Sequence, residues 1–198
     1  MIHLIRHCQT DGNRDHYVGR KDLPLNAGGL AQAKALADRL AEFPITHIIS
    51  SPLQRAVHTA RPLADRLGLT VELAPALIEF DFGDLQNLRK ADHAMNLRKQ
   101  HHLVPVPGGE SLRDVWDRLL PFAAMIEARC PSQSDLAIVG HYWSNRMLFG
   151  LLSGLSLEQT LKTQRYKPET GTATPVEQIK TNPARSAGQC HSISDLRA

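Results

Sequence analysis

Two short apolar runs constrain this chain more than any other feature. Ile2 to Ile5 and Leu136 to Val139 are too short for helices and too continuously apolar for a strand with one wet face, so both read as buried strands. Each delivers a histidine just past its carboxyl end: Arg6-His7 follows the first, and Gly140-His141 follows the second. Further strands are expected at 47–50 and 70–73, alternating with helical segments. Such alternation implies a mostly parallel central sheet covered on both faces, a three-layer α/β/α sandwich in which ligands bind beyond the carboxyl ends of the strands. The two histidines are therefore expected to meet at one edge.

The intervening segments carry helical periodicity. From Ala27 to Ala41 the apolar positions Leu30, Ala33, Leu36, Ala37 and Leu40 repeat at helical spacing behind Asn26, a plausible N-cap. Ser51-Pro52 reads as the cap and first-turn proline of a second helix, which carries Arg55 in its first turn and ends near Leu67 at Gly68. The basic, His-rich stretch 90–107 reads as helix and then loop, and Pro107-Gly108-Gly109 as a turn. Ser111 then caps a helix whose buried face holds Leu112, Val115, Trp116, Leu119, Ala123 and Ile126. An edge strand is expected near 172–176. A length of 198 residues suits one domain over residues 1–180, with 181–198 as a flexible tail.

Composition narrows the function classes. A hydrophobic fraction of 42% with 22% charged residues is that of a folded protein. No apolar run reaches the roughly 18 residues a membrane span needs, and the first residues lack the pattern of a secretory signal, so a cytoplasmic protein is expected. The formal charge of +3 is too balanced, and the aromatic content of 5% too low, to point to a nucleic acid partner. Cys8, Cys130 and Cys190 suggest neither a disulfide framework nor a zinc site, and His101-His102 lacks Cys or carboxylate partners at ligand spacing. Oligomeric state is open.

Five segments in order then resemble a known family. Leu4-Ile5-Arg6-His7-Cys8-Gln9-Thr10 with Asn13 is similar to the Arg-His-Gly signature of the histidine phosphatase superfamily, which includes the cofactor-dependent phosphoglycerate mutases. Ser50-Ser51-Pro52-Leu53-Gln54-Arg55-Ala56 resembles its second phosphate-arginine segment, and Glu79-Phe80-Asp81-Phe82-Gly83 its acid–base segment. Gly108-Gly109-Glu110-Ser111 and Ile138-Val139-Gly140-His141 complete the series. The resemblance covers roughly residues 2–155. It implies a phosphoglycerate mutase-like fold and a phosphomonoesterase acting through a phosphohistidine on His7, with a small phosphorylated metabolite as substrate.

The implied roles have physical reasons. Arg6 and Arg55 would hold the phosphoryl oxygens by bidentate geometry, with Asn13 and Tyr142 beside them, and a neutral His7 would attack phosphorus. His141 would be cationic or donating toward the phosphoryl oxygens. Glu79 would protonate the leaving alkoxide and then activate water, keeping its proton near neutrality through desolvation among Phe80 and Phe82. No metal and no cofactor is implied, because the arginines and His141 supply the positive charge. Taken singly, Arg55 reads as a surface ion pair and Glu79 as a cap, readings that five ordered matches outweigh, while Asn13, in the turn composition Asp11-Gly12-Asn13, reads equally as a turn residue or a phosphate donor.

Two departures stand out. Cys8 occupies the signature's glycine, and Tyr142-Trp143 follows His141 where many members have small residues, so two rings would narrow the pocket, grip an apolar leaving group or block entry. The short stretch between Glu79 and Glu110 favours hydrolysis over transfer, since the mutases carry a longer insertion there. Asp84-Leu85-Gln86-Asn87 and Ser144-Asn145 nevertheless have mutase flavour, and a catalytically silent phosphate-binding module is the third reading.

Overall fold

The computed structural model describes residues 1–12, 15–129 and 134–176. Among these, five strands form one sheet: β1 (Ile2–Arg6), β2 (Ile45–Ser50), β3 (Val71–Leu73), β4 (Asp135–Gly140) and β5 (Ala173–Val176). Their order is β3-β2-β4-β1-β5, parallel except for β5, which runs antiparallel along β1. Pro175 in β5 lies on an outer strand, where a missing N–H costs no ladder bond.

Alternation along the strands builds two cores. Ile2 and Leu4 of β1, Ile49 of β2, and Leu136 and Ile138 of β4 face one side, where α4 (Leu112–Arg129) and α5 (Tyr142–Leu152) cover them. Ile5, Ile48, Ala137 and Val139 face the other side, beneath α1 (Ala27–Leu40) and α2 (Gln54–Leu67). The expected three layers are present. Two short helices, α3 (Leu97–Gln100) and α6 (Leu157–Lys162), complete the described elements. None of the helices is long and apolar enough to cross a membrane.

Several expectations need correction. Asn26 does cap α1, accepting from the Gly29 N–H at 2.8 Å, but Leu30 lies half in solvent and Gly29 takes the inward position. Helix α2 begins at Gln54 rather than at Pro52, and its first N–H is met by Asp22 Oδ1 at 2.7 Å, a partner distant in the chain. Only one turn of helix, α3, forms within 90–107, the rest of that stretch being turns and irregular backbone. The capped helix after Ser111 forms as expected, with all six named apolar side chains buried. The expected tail at 181–198 lies outside the described residues.

Close approach explains Gly29. A Cβ there would lie 2.0 Å from the Gln9 carbonyl oxygen, whereas one on Gly28 would meet only the Gln9 side-chain oxygen at 2.9 Å. Because backbone cannot retreat as a flexible side chain can, Gly29→Ala is expected to cost about 1–3 kcal/mol, with Gly28→Ala within about 1 kcal/mol of the parent. Urea unfolding of both variants checks this. Equal midpoints would refute the contact.

Candidate active site

Pairing between β1 and β4 places the catalytic candidates. Arg6 lies opposite Gly140, so the chain leaves both strands side by side, and the His7 N–H donates to the Gly140 carbonyl at 3.0 Å. The rings of His7 and His141 follow with centroids 5.1 Å apart. Ser50 and Ser51 end the neighbouring β2, and the Ser51 N–H reaches the Val139 carbonyl at 2.9 Å. Three adjacent strand ends thus converge.

Hydrogen bonds fix both tautomers. His7 Nδ1 lies 2.8 Å from the Cys8 carbonyl, which only accepts, so Nδ1 carries the proton and Nε2 keeps its lone pair. His141 Nδ1 lies 3.2 Å from Arg55 Nε, which only donates, so here Nδ1 accepts and Nε2 donates to Ser51 Oγ at 2.8 Å. Burial, then the charge of Arg55, holds both imidazoles well below the usual range. Of the two states expected, cationic or donating, His141 here is neutral: Nδ1 accepts from Arg55, because a proton there would oppose the Nε–H, while Nε2 donates to Ser51.

Arg55 is 1% exposed, and its remaining nitrogens are pinned by main chain. One terminal nitrogen donates to the Lys21 carbonyl at 2.6 Å and the other to that of Gly19 at 2.7 Å. Arg6 is tied more loosely, through one donor to the Pro168 carbonyl at 3.0 Å, and its Nε is buried with no protein partner. Burial lowers the pKa of both guanidinium groups, and Glu79 is the charge that most opposes the shift in each.

Glu79 is also buried, but not in the apolar surroundings expected of it. Its carboxylate accepts from the N–H groups of Phe80 at 2.8 Å, Tyr142 at 2.9 Å, Trp143 at 3.1 Å and Ser144 at 3.4 Å. Three of those donors form the first turn of α5, where helix amides and dipole favour an anion. Phe80 and Phe82 pack into the core instead.

Arg6, His7, Arg55, Glu79 and Tyr142 line one cavity of about 780 Å³, with His141 buried directly against His7. Tyr142 and Trp143 form a wall of this space and do not fill it. The Tyr142 hydroxyl accepts from Arg98 at 3.3 Å, while its ring lies 5.3 Å from the guanidinium carbon of Arg6. Asn13 lies outside the described residues. Cys8 is wholly buried away from the cavity, its thiol pKa pushed up by burial, so it acts as a small core side chain.

Other contributors were not legible. Ser51 was read as a helix cap, although its place at a strand end beside the histidines was a usable signal. Lys90 and Arg98 add cations to the cavity wall, and burial followed by repulsion from Arg6 lowers the Lys90 pKa. The Gly19 and Lys21 carbonyls act through backbone and leave no mark in residue type.

Comparisons with known proteins agree with this geometry. The family model of the histidine phosphatase superfamily (branch 1) matches residues 2–176. A 2,3-bisphosphoglycerate-dependent phosphoglycerate mutase of Rhizobium rhizogenes is 35% identical over 172 residues, 80% of this chain and 82% of that protein. The mycobacterial glucosyl-3-phosphoglycerate phosphatase structure is 31% identical with a TM-score of 0.72, covering 81% of this chain and 82% of its own. A putative alpha-ribazole-5'-P phosphatase from Escherichia coli is 26% identical with a TM-score of 0.74, covering 87% of each.

The buried neutral imidazoles have a consequence for stability. An unfolded histidine takes up its proton near 6.5, whereas His7 and His141 resist it, so the unfolded state binds more protons below that pH. Stability is expected to fall as pH drops from about 6.5 toward 5, by at most about 1.4 kcal/mol per pH unit for each imidazole. Urea midpoints in phosphate-free buffer should fall less steeply for a His7→Gln/His141→Gln variant. An identical slope in parent and variant would count against the assignment.

Proposed function

The chain belongs to the histidine phosphatase superfamily, and we propose that it is a phosphomonoesterase that hydrolyses a small phosphorylated metabolite through a phosphohistidine on His7. The observation that carries this reading is the His7 tautomer: Nδ1 is committed to the Cys8 carbonyl, so the nucleophilic Nε2 is unprotonated beside Arg6, Arg55 and His141.

In the first step Nε2 attacks phosphorus and the P–O bond to the alcohol breaks. The phosphoryl oxygens are held by Arg6 and Arg55, and an oxygen entering between Arg55 and His141 draws Arg55 Nε to itself, freeing His141 Nδ1 to take a proton from solvent, which it donates to that oxygen and returns to solvent when phosphate leaves. Glu79 delivers a proton to the departing alkoxide. That proton enters with the substrate, whose phosphate binds as the monoanion and passes it to Glu79. In the second step water attacks phosphorus, Glu79 accepts its proton and the P–N bond breaks, returning neutral His7.

The mutase relatives at 35% identity support a second reading, in which the phosphohistidine waits for another hydroxyl. The short stretch from Glu79 to Glu110 supports water only against mutases with a longer insertion, since the mutase at 35% identity is roughly as short as this chain, and the acceptor is decided by the reaction itself. Incubation with phosphoglycerates discriminates: phosphate release faster than isomerisation is expected, and the reverse would make the protein a mutase.

Hydrolysis of an aryl phosphate without added metal should fall at least about 10³-fold in His7→Ala and on the order of 10²-fold in Arg55→Lys. Brief incubation with labelled substrate should leave acid-labile label on the parent and none on His7→Ala. Equal rates in parent and His7→Ala would leave only a binding module.

A further inference from the structure

We infer that Arg20, locked by Glu110, is a positioning residue for Glu79, and that the loop Gly19-Arg20-Lys21 sets the spacing between the phosphate clamp and the proton donor. The inference rests on the reading of Glu79 as the leaving-group acid.

Glu79 lies between two 3-10 turns, Pro75–Leu77 and Gly83–Leu85, in a stretch that belongs to neither helix nor strand. Its main chain is held by side chains instead. The Glu79 carbonyl accepts from Arg20 Nε and from a terminal nitrogen of Arg118, each at 3.3 Å. Arg118 also donates to the carbonyls of Ala76 and, at 2.7 Å, Ile78. Arg20 reaches Asp81 at 3.1 Å on the far side of the acid.

A single carboxylate joins these two grips. Glu110 Oε1 accepts from Arg20 at 2.7 Å and from Arg118 Nε at 3.1 Å, while its Oε2 accepts from the Asp81 N–H at 3.0 Å. The glycines of the same motif let the two segments touch, since a Cβ on Gly109 would lie 2.4 Å from the Asp81 carbonyl oxygen and one on Gly83 2.1 Å from that of Pro107. Glu110 is therefore placed to brace the acid segment from the side opposite α5.

Arg20 also connects this brace to the phosphate clamp. The carbonyls of its neighbours, Gly19 and Lys21, hold Arg55, while its own side chain holds Glu79 and Glu110. Neither Arg20, Glu110 nor Arg118 lines the cavity. They act on the reaction through other residues, and substitution of the Arg20 side chain leaves the carbonyls that hold Arg55 in place.

Leaving-group dependence separates a positioning role from a merely structural one. Dinitrophenolate departs without a proton, whereas the alkoxide of glycerol phosphate needs one, so a misplaced acid slows the phosphorylation of His7, the step that kcat/KM reads, only with the second. In Arg20→Met and Glu110→Gln, kcat/KM is expected to fall about 10²-fold with glycerol phosphate and to stay near the parent value with dinitrophenyl phosphate. Arg20→Lys should restore part of the loss, and inhibition by vanadate should be unchanged throughout. Equal losses on both substrates, weaker vanadate inhibition, or no loss at all would overturn the inference. Glu79→Gln serves as the reference: a flat response there overturns the reading of Glu79 itself, while a steep response there with a flat one in Arg20→Met overturns only the positioning role.

Discussion

A guanidinium taken out of water must have its donors met by fixed acceptors, and Arg55 imposes that demand on everything around it. The acceptors it finds are neutral: two main-chain carbonyls and the Nδ1 of His141. They satisfy its hydrogen bonds without cancelling its charge. The remaining positive potential, added to that of Arg6, works against protonation of both imidazoles and so keeps His7 in its nucleophilic form. Glu79 is the one carboxylate among the described residues lining the cavity, and its field stabilises both arginines. The charge that would bind a phosphoryl group thus also prepares the group that would attack it.

The legible part of the site is the part attached to regular structure. His7 and His141 follow apolar runs that can only be buried strands, Arg55 lies in a helix's first turn, and parallel pairing then leaves little freedom in where they meet. Glu79 was legible as a residue but not in its surroundings. Its carboxylate is met by amides of α5, a helix whose near-continuous burial gives little amphipathic pattern to read. Leu30 was misread for a related reason: helical spacing alone does not reveal that the backbone at Gln9 approaches closely enough to require glycine at the neighbouring position. Contacts made by loop carbonyls, or by arginines reaching across the fold, have no periodicity and leave nothing in sequence to detect.

Both departures from the family pattern are absorbed by local packing. Cys8 turns its thiol into the core under α1 and α2, and its N–H finds Thr59 Oγ1 at 2.9 Å. Tyr142 offers a ring to Arg6 and a hydroxyl to Arg98, so a bulky residue beside the histidine becomes a partner of two cations of the cavity wall. Glu79 uses only backbone N–H groups at positions 142–144, and those are available whatever the side chains.

Attack by His7 asks the same of the site whether water or another hydroxyl completes the reaction, so the distinction must lie in how long water is kept out. The wall nearest that question, from Ala94 to Arg98, belongs neither to the strand ends nor to the braced Glu79 segment. On the side of α5 Arg98 makes its polar contacts, with a guanidinium carbon 5.9 Å from the Trp143 ring centroid and a 3.3 Å hydrogen bond to Tyr142. Each such contact contributes about 1 kcal/mol or less at a partly exposed site. A transferase needs a wall that stays closed until its second substrate binds, so the hold of Leu97 and Met95 on the core, together with that of Arg98 on α5, bears directly on how long water is kept out.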